Sequence, residues 1–232
     1  MAAIEKTAAV LSAVNLSIEP VSSQTEFDRA FSYEFTKGSI NCIIGPNSSG
    51  KSHYLRMLAG IEEPASGKVF LQGKDIDEMT DKRWLSMRQS VGFISESVQL
   101  FSILSGIGNV MLPANYHSIA SAEKVQEKAD RLVTWLGCTA DLTVLPNEIT
   151  RNQRFFLLLA RALILEPEVL LVDEPFRSND SALQKLLTKR YTELRDAQEM
   201  TLIFSTNSTQ FVQLHEVFLL PMSNNPIEEK FF

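Results

Sequence analysis

The chain has 232 residues, of which 44% are hydrophobic and 22% are charged. This composition is typical of a globular chain with one substantial core, and it excludes disordered, collagen-like and coiled-coil proteins. Acidic residues outnumber basic residues by 28 to 22, and no Lys/Arg stripe is present. The sequence therefore predicts no nucleic acid as a main partner.

Membrane-spanning and secretion signals are not indicated either. The longest apolar stretch, residues 155–165, is interrupted by Arg161 and is shorter than the roughly 18 residues that a span needs. The first twenty residues do not combine a basic start with an apolar core, so no signal peptide is predicted. Cys42 and Cys138 lie in no CxxC motif or Cys/His cluster, which predicts two buried reduced thiols in a cytoplasmic protein.

The first third of the chain reads as strands followed by a helix. Runs rich in β-branched and aromatic residues predict strands over residues 10–16, 31–35, 39–44 and 68–71. The pattern becomes helical from Lys51 to Leu58, and Gly60 is a typical signal for the end of a helix.

The rest of the chain alternates helices with apolar strands. Helical spacing between residues 97 and 147 predicts a small helical lobe, and an apolar helix is predicted over residues 151–165. The run at 169–172 is typical of a strand buried in a parallel sheet. A further helix around residues 183–194 and a strand at 201–205 complete the alternation, which predicts an α/β sheet. No repeat or linker divides the sequence, so one domain is predicted.

The segment between the third predicted strand and the first helix satisfies the phosphate-binding pattern GxxxxGK[ST]. It reads Gly45, Pro46, Asn47, Ser48, Ser49, Gly50, Lys51 and Ser52. The two glycines let successive N–H groups and the helix N-terminus approach the phosphates. Lys51 is predicted to reach the β- and γ-phosphates, and the Ser52 hydroxyl to bind Mg²⁺.

Two carboxylates follow the buried strand at 169–172, at the end where open α/β sheets bind ligands. Asp173 is placed to hold Mg²⁺, directly or through water. Glu174 is placed to polarise an attacking water, which is the general-base role in nucleoside triphosphate hydrolysis.

Together these motifs resemble the ATP-binding subunits of ABC transporters, over roughly residues 10–220. The hairpin at 66–76, the segments at 100–101 and 109–113, and the stretch from 159 to 176 add to the resemblance. It implies an α/β P-loop NTPase with a mainly parallel sheet core, an N-terminal antiparallel β subdomain and an inserted helical subdomain. The core would comprise about 1–96 and 151–232 and the helical subdomain about 97–150, within a single domain of 1–232.

The resemblance also implies function, cofactors and partners. ATP-binding subunits of this family work as dimers that sandwich two ATP molecules, each held by the P-loop of one subunit and the signature motif of the other. ATP and Mg²⁺ are the expected cofactors, with His53 beside the nucleotide. The expected catalytic residues are Lys51, Glu96, Glu174 and Asn207. A separate integral-membrane subunit is the expected partner, which would place the chain on the inner face of the membrane.

The signature motif departs from the family pattern. The family has Leu-Ser-Gly-Gly-Gln where this chain has Ile149, Thr150, Arg151, Asn152 and Gln153. Both glycines are lost, and the added side chains stand where the opposite γ-phosphate should meet bare backbone. Thr150 can still cap the helix. Arg151 either supplies a compensating charge to that phosphate or is an ordinary solvated arginine.

Three further positions differ from the family pattern. Glu96 stands where the family has a glutamine that contacts Mg²⁺ and the attacking water, and Asn207 replaces the switch histidine. No aromatic residue aligns with the adenine-stacking position near Pro20 and Val21, and Phe27 is the nearest candidate. Asp180, in contrast, fits the loop along the dimer interface.

Two readings of function stay open. In the first, the chain is an ATPase whose hydrolysis is slow or depends on a partner, with a lean to lipid transport from residues 109–117 and 173–176. In the second, it is a catalytically degenerate regulatory or structural half of a heterodimer. The membrane subunit is expected to dock near residues 96–101, where Val98, Leu100 and Phe101 either form the contact or pack the helical lobe.

Overall fold

The computed structural model describes residues 9–18, 30–139, 141–175 and 180–207, and the backbone alone of residues 217–221. In chain order, the strands and α-helices are β1 (Ala9–Ser17), β2 (Phe31–Thr36), β3 (Ile40–Ile44), α1 (Lys51–Leu58), β4 (Ser66–Leu71), β5 (Lys74–Asp75), α2 (Asp81–Met87), β6 (Val91–Ile94), α3 (Gly106–Tyr116), α4 (Ala122–Leu136), α5 (Arg151–Leu163), β7 (Val169–Asp173), α6 (Ser181–Gln198), β8 (Thr201–Thr206) and β9 (Val217–Pro221).

These strands form one antiparallel and one parallel sheet. The antiparallel sheet has the order β2-β1-β4-β5, and the parallel sheet has the order β6-β7-β8-β3-β9. The strand before the phosphate-binding pattern, β3, therefore lies between β8 and β9, while β7 lies between β6 and β8. Because parallel strands end at the same edge, the segments after β3, β6, β7 and β8 all emerge together.

The parallel sheet is covered on both faces, which explains its continuous apolar runs. On one face, Cys42, Val172 and Phe204 pack in a core with α3, α4, α5 and α6. On the other face, Ile43 and Leu171 pack in a second core with α1 and the antiparallel sheet. The α/β class with parallel core, antiparallel sheet and inserted helices is confirmed, whereas the domain limits at 96/97 and 150/151 stay a prediction.

Strands β1 and β4 approach each other unusually closely at Gly67. Gly67 has a φ of 90°, and a Cβ built on it would lie 2.2 Å from the carbonyl oxygen of Asn15. The pairing of β1 with β4 shifts register between Val14 and Ser17, which brings the bulged backbone of β1 against this glycine. Glycine is therefore required here both for its conformation and for its lack of a side chain.

The predicted strands and the helices predicted at 51–58 and 151–165 agree with the structure to within two residues at their ends, whereas the helix predicted around residues 183–194 extends from Ser181 to Gln198. The helix predicted over residues 151–165 ends at Leu163 instead, two residues before the prediction. Neither Cys42 nor Cys138 forms a disulfide within the described residues. Cys42 is buried, but Cys138 is only half-buried, so the prediction of two buried thiols is wrong for that residue. None of the helices in the described part of the chain is both long and apolar enough to cross a membrane.

Candidate functional site

The loop between β3 and α1 turns the chain tightly from the sheet into the helix. Ser48 and Gly50 have φ angles of 62° and 86°, so both adopt the left-handed conformation. A Cβ on Gly50 would lie 2.6 Å from the Cδ1 atom of Ile18, which would crowd any larger residue. Gly50 is also the N-cap of α1, and the unpaired N–H groups at the helix start therefore open toward the loop.

Lys51 is buried beneath this loop, with 7% of its surface exposed. Its Nζ donates hydrogen bonds to the carbonyl oxygens of Gly45 and Pro46, at 2.9 and 2.8 Å. Burial lowers the pKa of the Lys51 ammonium, while the nearby carboxylates of Glu174 and Asp173 act in the opposite direction. The ammonium is therefore held by the loop and lies within the electrostatic influence of the two acidic residues at the end of β7.

The hydroxyl of Ser49 is buried and has no hydrogen-bond partner among the described residues. An unpaired buried polar group costs about 1 to 3 kcal/mol. A bound phosphate would supply acceptor oxygens next to this hydroxyl, the Lys51 ammonium and the start of α1. The residues present therefore fit the phosphates of ATP.

The carboxylates after β7 are held by polar groups at the end of the neighbouring strand β8. The Ser205 hydroxyl donates a short hydrogen bond to Oδ1 of Asp173. Glu174 accepts from the Thr206 hydroxyl at 3.0 Å and from the backbone N–H of Asn207 at 3.2 Å. Glu174 also adopts a φ of 51°, so its backbone takes an uncommon conformation while its carboxylate is held by these two hydrogen bonds.

Asn207 connects this acidic pair to the phosphate loop. Its side-chain Nδ2 donates to Oδ1 of Asn47 at 2.7 Å, while its backbone N–H contacts Glu174. The structure thus brings Asn47, Lys51, Asp173, Glu174 and Asn207 together at one edge of the parallel sheet. The contacts of Ser205 and Thr206 were not predicted, although hydroxyl residues at the end of a strand beside two carboxylates are a signal that could have indicated them.

The oxygen donors at this edge fit a magnesium ion. Ser52 is half-buried in the first turn of α1, and Asp173 lies at the end of β7. Hydroxyl and carboxylate oxygens are ligands that Mg²⁺ prefers. The metal role of Ser52, Asp173 and Glu96 stays a prediction.

A cavity of about 710 Å³ opens beside the two carboxylates. Residues after β6, at the start of α5 and on α6 line it together with Asp173 and Glu174. Glu96, Arg151 and Asn152 are among them, so the structure places three of the altered family positions in one cavity. Oε1 of Glu96 lies 4.0 Å from Nη2 of Arg151.

The start of α5 is capped as the sequence predicts. Thr150 is the N-cap, and its hydroxyl accepts from the backbone N–H of Gln153 at 3.3 Å. In return, Oε1 of Gln153 accepts from the backbone N–H of Thr150 at 2.9 Å, which completes a capping box. The start of α5 is therefore still capped, although both glycines of the family signature are replaced.

His53 is engaged outside the phosphate loop. Its Nδ1 lies 2.6 Å from Oε1 of Glu62, and Arg56 donates to the other oxygen of Glu62 at 2.7 Å. The predicted contact of His53 with nucleotide stays a prediction. The adenine-stacking candidates near Pro20, Val21 and Phe27 lie outside the described residues.

The loop that follows β6 is stapled by one buried amide. Nδ2 of Asn109 donates to the carbonyl oxygens of Phe101, Leu104 and Ser105 at 3.0, 3.1 and 3.1 Å, and its Oδ1 accepts from the Phe101 N–H at 2.7 Å. This loop leaves Phe101 54% and Ile103 85% exposed.

Two of the three residues suggested for partner docking differ clearly in how much of their surface is exposed to solvent. Leu100 packs in the core with 8% exposure, so it is unavailable to a partner, whereas Phe101 is exposed. Ile103 was not singled out from the sequence.

Comparisons with known proteins agree with this geometry. The sequence profile of the family described as ABC transporter matches residues 29–177. The probable sulfate/thiosulfate import ATP-binding protein CysA of Chlorella vulgaris is 35% identical over 174 residues, covering 75% of this chain and 71% of that protein. The lipoprotein-releasing system ATP-binding protein LolD of Bacteroides thetaiotaomicron is 31% identical over 175 residues, covering 75% and 80%.

A solved structure shows the same fold. The dimeric structure of MJ0796, a bacterial ABC transporter cassette, superposes with a TM-score of 0.82 at 20% identity, covering 91% of this chain and 94% of that chain.

Proposed function

The chain belongs to the ABC transporter family of ATP-binding proteins, and from this premise we propose that it binds Mg-ATP at the loop of residues 45–52 and couples hydrolysis to a separate membrane subunit. The observation that carries the proposal is the position of Lys51. Its buried ammonium is hydrogen-bonded to the phosphate loop, and Asn207 links that same loop to the carboxylate of Glu174, which gathers the groups that hold and cleave a triphosphate.

Each residue at the sheet edge has a proposed role. Lys51 and the N–H groups at the start of α1 bind the phosphates, and Ser49 donates its unpaired hydroxyl to them. Ser52 and Asp173 hold Mg²⁺, which when bound neutralises charge on the phosphate oxygens. Glu174 polarises the attacking water, and Thr206 and Asn207 orient its carboxylate.

We expect hydrolysis to be slow or dependent on a partner. Asn207 is neutral and stands where the family has a switch histidine, and its side chain is bonded to Asn47. Loss of one positioned transition-state donor typically costs about 2.7 to 4 kcal/mol, or 10² to 10³ in rate.

The ATP-binding part of the proposal is tested with Lys51→Ala. Isothermal titration calorimetry of the full chain with Mg-ATP should show clear binding that Lys51→Ala weakens at least tenfold. Lys124→Ala, which removes an exposed lysine on α4, is the matched control and should bind as the unaltered chain does. Equal binding by both variants would contradict the proposed site.

The hydrolytic part is tested with Glu174→Gln in the complex with the membrane subunit. The amide cannot accept a proton from water, so phosphate release should fall at least a hundredfold while Mg-ATP binding persists. If the unaltered complex binds ATP but releases phosphate no faster than Glu174→Gln, the second candidate is favoured. In that candidate the chain is the degenerate ATP-binding half of a heterodimer. It is favoured by Arg151 and Asn152, which stand where the family signature has two glycines.

Native mass spectrometry of the detergent-extracted complex separates the two candidates further. Two copies of this chain would mean that its altered signature serves both ATP sites. One copy beside a different ATP-binding subunit would make it the asymmetric half.

The membrane partner is proposed to dock on the loop stapled by Asn109. Phe101 and Ile103 expose apolar surface there, and the docking expected from the family resemblance near residues 96–101 supports this choice. Ile103→Glu should abolish co-purification of the membrane subunit, whereas Leu85→Glu, at an exposed leucine on α2, should not. Docking at this face would place the chain on the inner surface of the membrane.

The cargo is proposed to be a lipid or lipid-linked molecule. This lean rests on residues 109–117 and 173–176 and on the similarity to the lipoprotein-releasing protein LolD. Similarity to the sulfate importer CysA supplies the competing outcome. Stimulation of phosphate release by sulfate but not by lipid substrates in the reconstituted complex would overturn the proposal of a lipid cargo.

A further inference from the structure

Two of the altered family positions contact each other within the same chain. Glu96 follows β6 and Arg151 is the first residue of α5, and their Oε1 and Nη2 atoms lie 4.0 Å apart. Both line the cavity that also contains Asp173 and Glu174. Neither substitution has an evident purpose alone, but together they join opposite charges.

The charges around the cavity explain why Glu96 needs such a neighbour. Among the described lining residues, the carboxylates are Glu96, Asp173 and Glu174, and the guanidinium groups are Arg151 and Arg154. A neutral amide at position 96 would leave two carboxylates balanced by two guanidinium groups. The carboxylate of Glu96 adds a third negative charge near the place proposed for the triphosphate, where like charges repel.

The position of Arg151 points the same way. A positive side chain at the first residue of a helix is opposed by the positive end of the helix dipole. A carboxylate beside it offsets that repulsion, and Glu96 is placed there. The loop that carries Glu96 is itself held, because Nε2 of Gln99 donates to the Glu96 carbonyl oxygen at 2.9 Å.

We infer that Arg151 is a positioning residue that acts through Glu96: it draws the Glu96 carboxylate toward the start of α5 and neutralises it, so that Mg-ATP can bind beside it. The inference rests on the proposed ATP-binding function and extends it to the altered signature. It replaces the idea that Arg151 serves the γ-phosphate of the opposite subunit, because its charge is used within its own chain.

The inference is tested by a double-mutant cycle on Mg-ATP binding by the full chain. Arg151→Ala exposes the negative charge of Glu96 and should raise the Kd for Mg-ATP about two- to fivefold, the range for exposed ion pairs. In a Glu96→Gln background the same Arg151→Ala change should have no effect on the Kd. Arg151→Lys, which keeps the charge, should retain most of the affinity.

Folding is not expected to limit the test, because the Glu96 and Arg151 side chains are 67% and 81% exposed. The matched control is the pair of Glu127 and Arg131 on α4, whose atoms are 3.7 Å apart at similar exposure. Arg131→Ala should leave the Kd unchanged in both backgrounds. Raising the salt concentration should shrink the effect of Arg151→Ala, since the pair is open to solvent.

The outcomes separate the two proposals. If Arg151→Ala weakens binding by the same factor with Glu96 and with Gln at position 96, Arg151 acts on the phosphate directly and the inference is overturned. If Arg151→Ala has no effect in either background, the inference is overturned as well. If the unaltered chain does not bind Mg-ATP, the proposed function fails, and the inference fails with it.

Discussion

Replacing Asn109 by alanine should destabilise the whole protein and release the loop that presents Phe101 and Ile103. The side chain is fully buried, and it makes four hydrogen bonds to the loop backbone. All of these bonds come from the one amide of Asn109 in the first turn of α3, so alanine removes them together.

The magnitude follows from the bonding capacity of this amide: its two N–H groups share three carbonyl acceptors, and its oxygen accepts one further bond. At about 1 kcal/mol net for each of these three bonding groups, their loss amounts to about 3 kcal/mol if nothing replaces them. The loop is partly exposed, so water can satisfy some of the freed groups. We therefore expect the free energy of unfolding to fall by about 2 to 3 kcal/mol.

Urea denaturation followed by circular dichroism measures this change. Asn115→Ala removes an exposed asparagine from the same helix and should alter stability by less than about 0.5 kcal/mol. Asn109→Asp keeps the shape and one acceptor oxygen but loses both N–H donors, and it should also destabilise by at least 2 kcal/mol. A loss below about 1 kcal/mol for Asn109→Ala would refute the view that this amide staples the loop.

Two further predictions concern the antiparallel sheet. Gly67→Ala should lower the free energy of unfolding by about 3 to 5 kcal/mol, because the new Cβ would collide with the Asn15 backbone. The control is Gly73→Ala, which is also at positive φ but has open space around it. Equal losses for the two variants in urea denaturation would contradict the collision. The hydrogen bond from Lys68 lowers the pKa of Asp75 below its ordinary value of 3.8. The ionised Asp75 carboxylate therefore stabilises the fold fully above pH 3.8, and this stabilisation is lost as the pH falls through the lowered pKa. The stability difference between Asp75→Asn and the unaltered chain should therefore shrink steadily in acid, and a constant difference would refute the pairing.

The sequence was sufficient where function is encoded locally. The phosphate loop combines a glycine turn, a lysine and a hydroxyl within eight residues, so its strand and helix could be placed on either side of it. The apolar strand before Asp173 was equally clear, because burial on both faces leaves a continuous apolar run. These segments also carry most of the family resemblance.

Other features depend on residues brought together by the fold. β5 contains two residues and exists through its pairing with β4, so its composition alone gives no strand signal. The pair of Glu96 and Arg151 is invisible in sequence because different elements carry the two residues. The buried position of Asn109 depends on which carbonyl groups of the preceding loop point inward. The hydrophobic pattern of the sequence does not indicate the direction of those carbonyl groups.

The two cysteines offer a chemical use that follows from their different burial. Burial raises the pKa of the Cys42 thiol to about 12, and the Glu174 carboxylate adds to the rise, so this thiol stays protonated and enclosed at neutral pH. Cys138, which follows α4, is half-buried. A maleimide dye should therefore modify the folded chain once, on the helical lobe, and a second time on Cys42 after unfolding. Counting labels by mass would report how much of a sample is folded, and the first label would give a fluorescent probe beside α4 without any substitution.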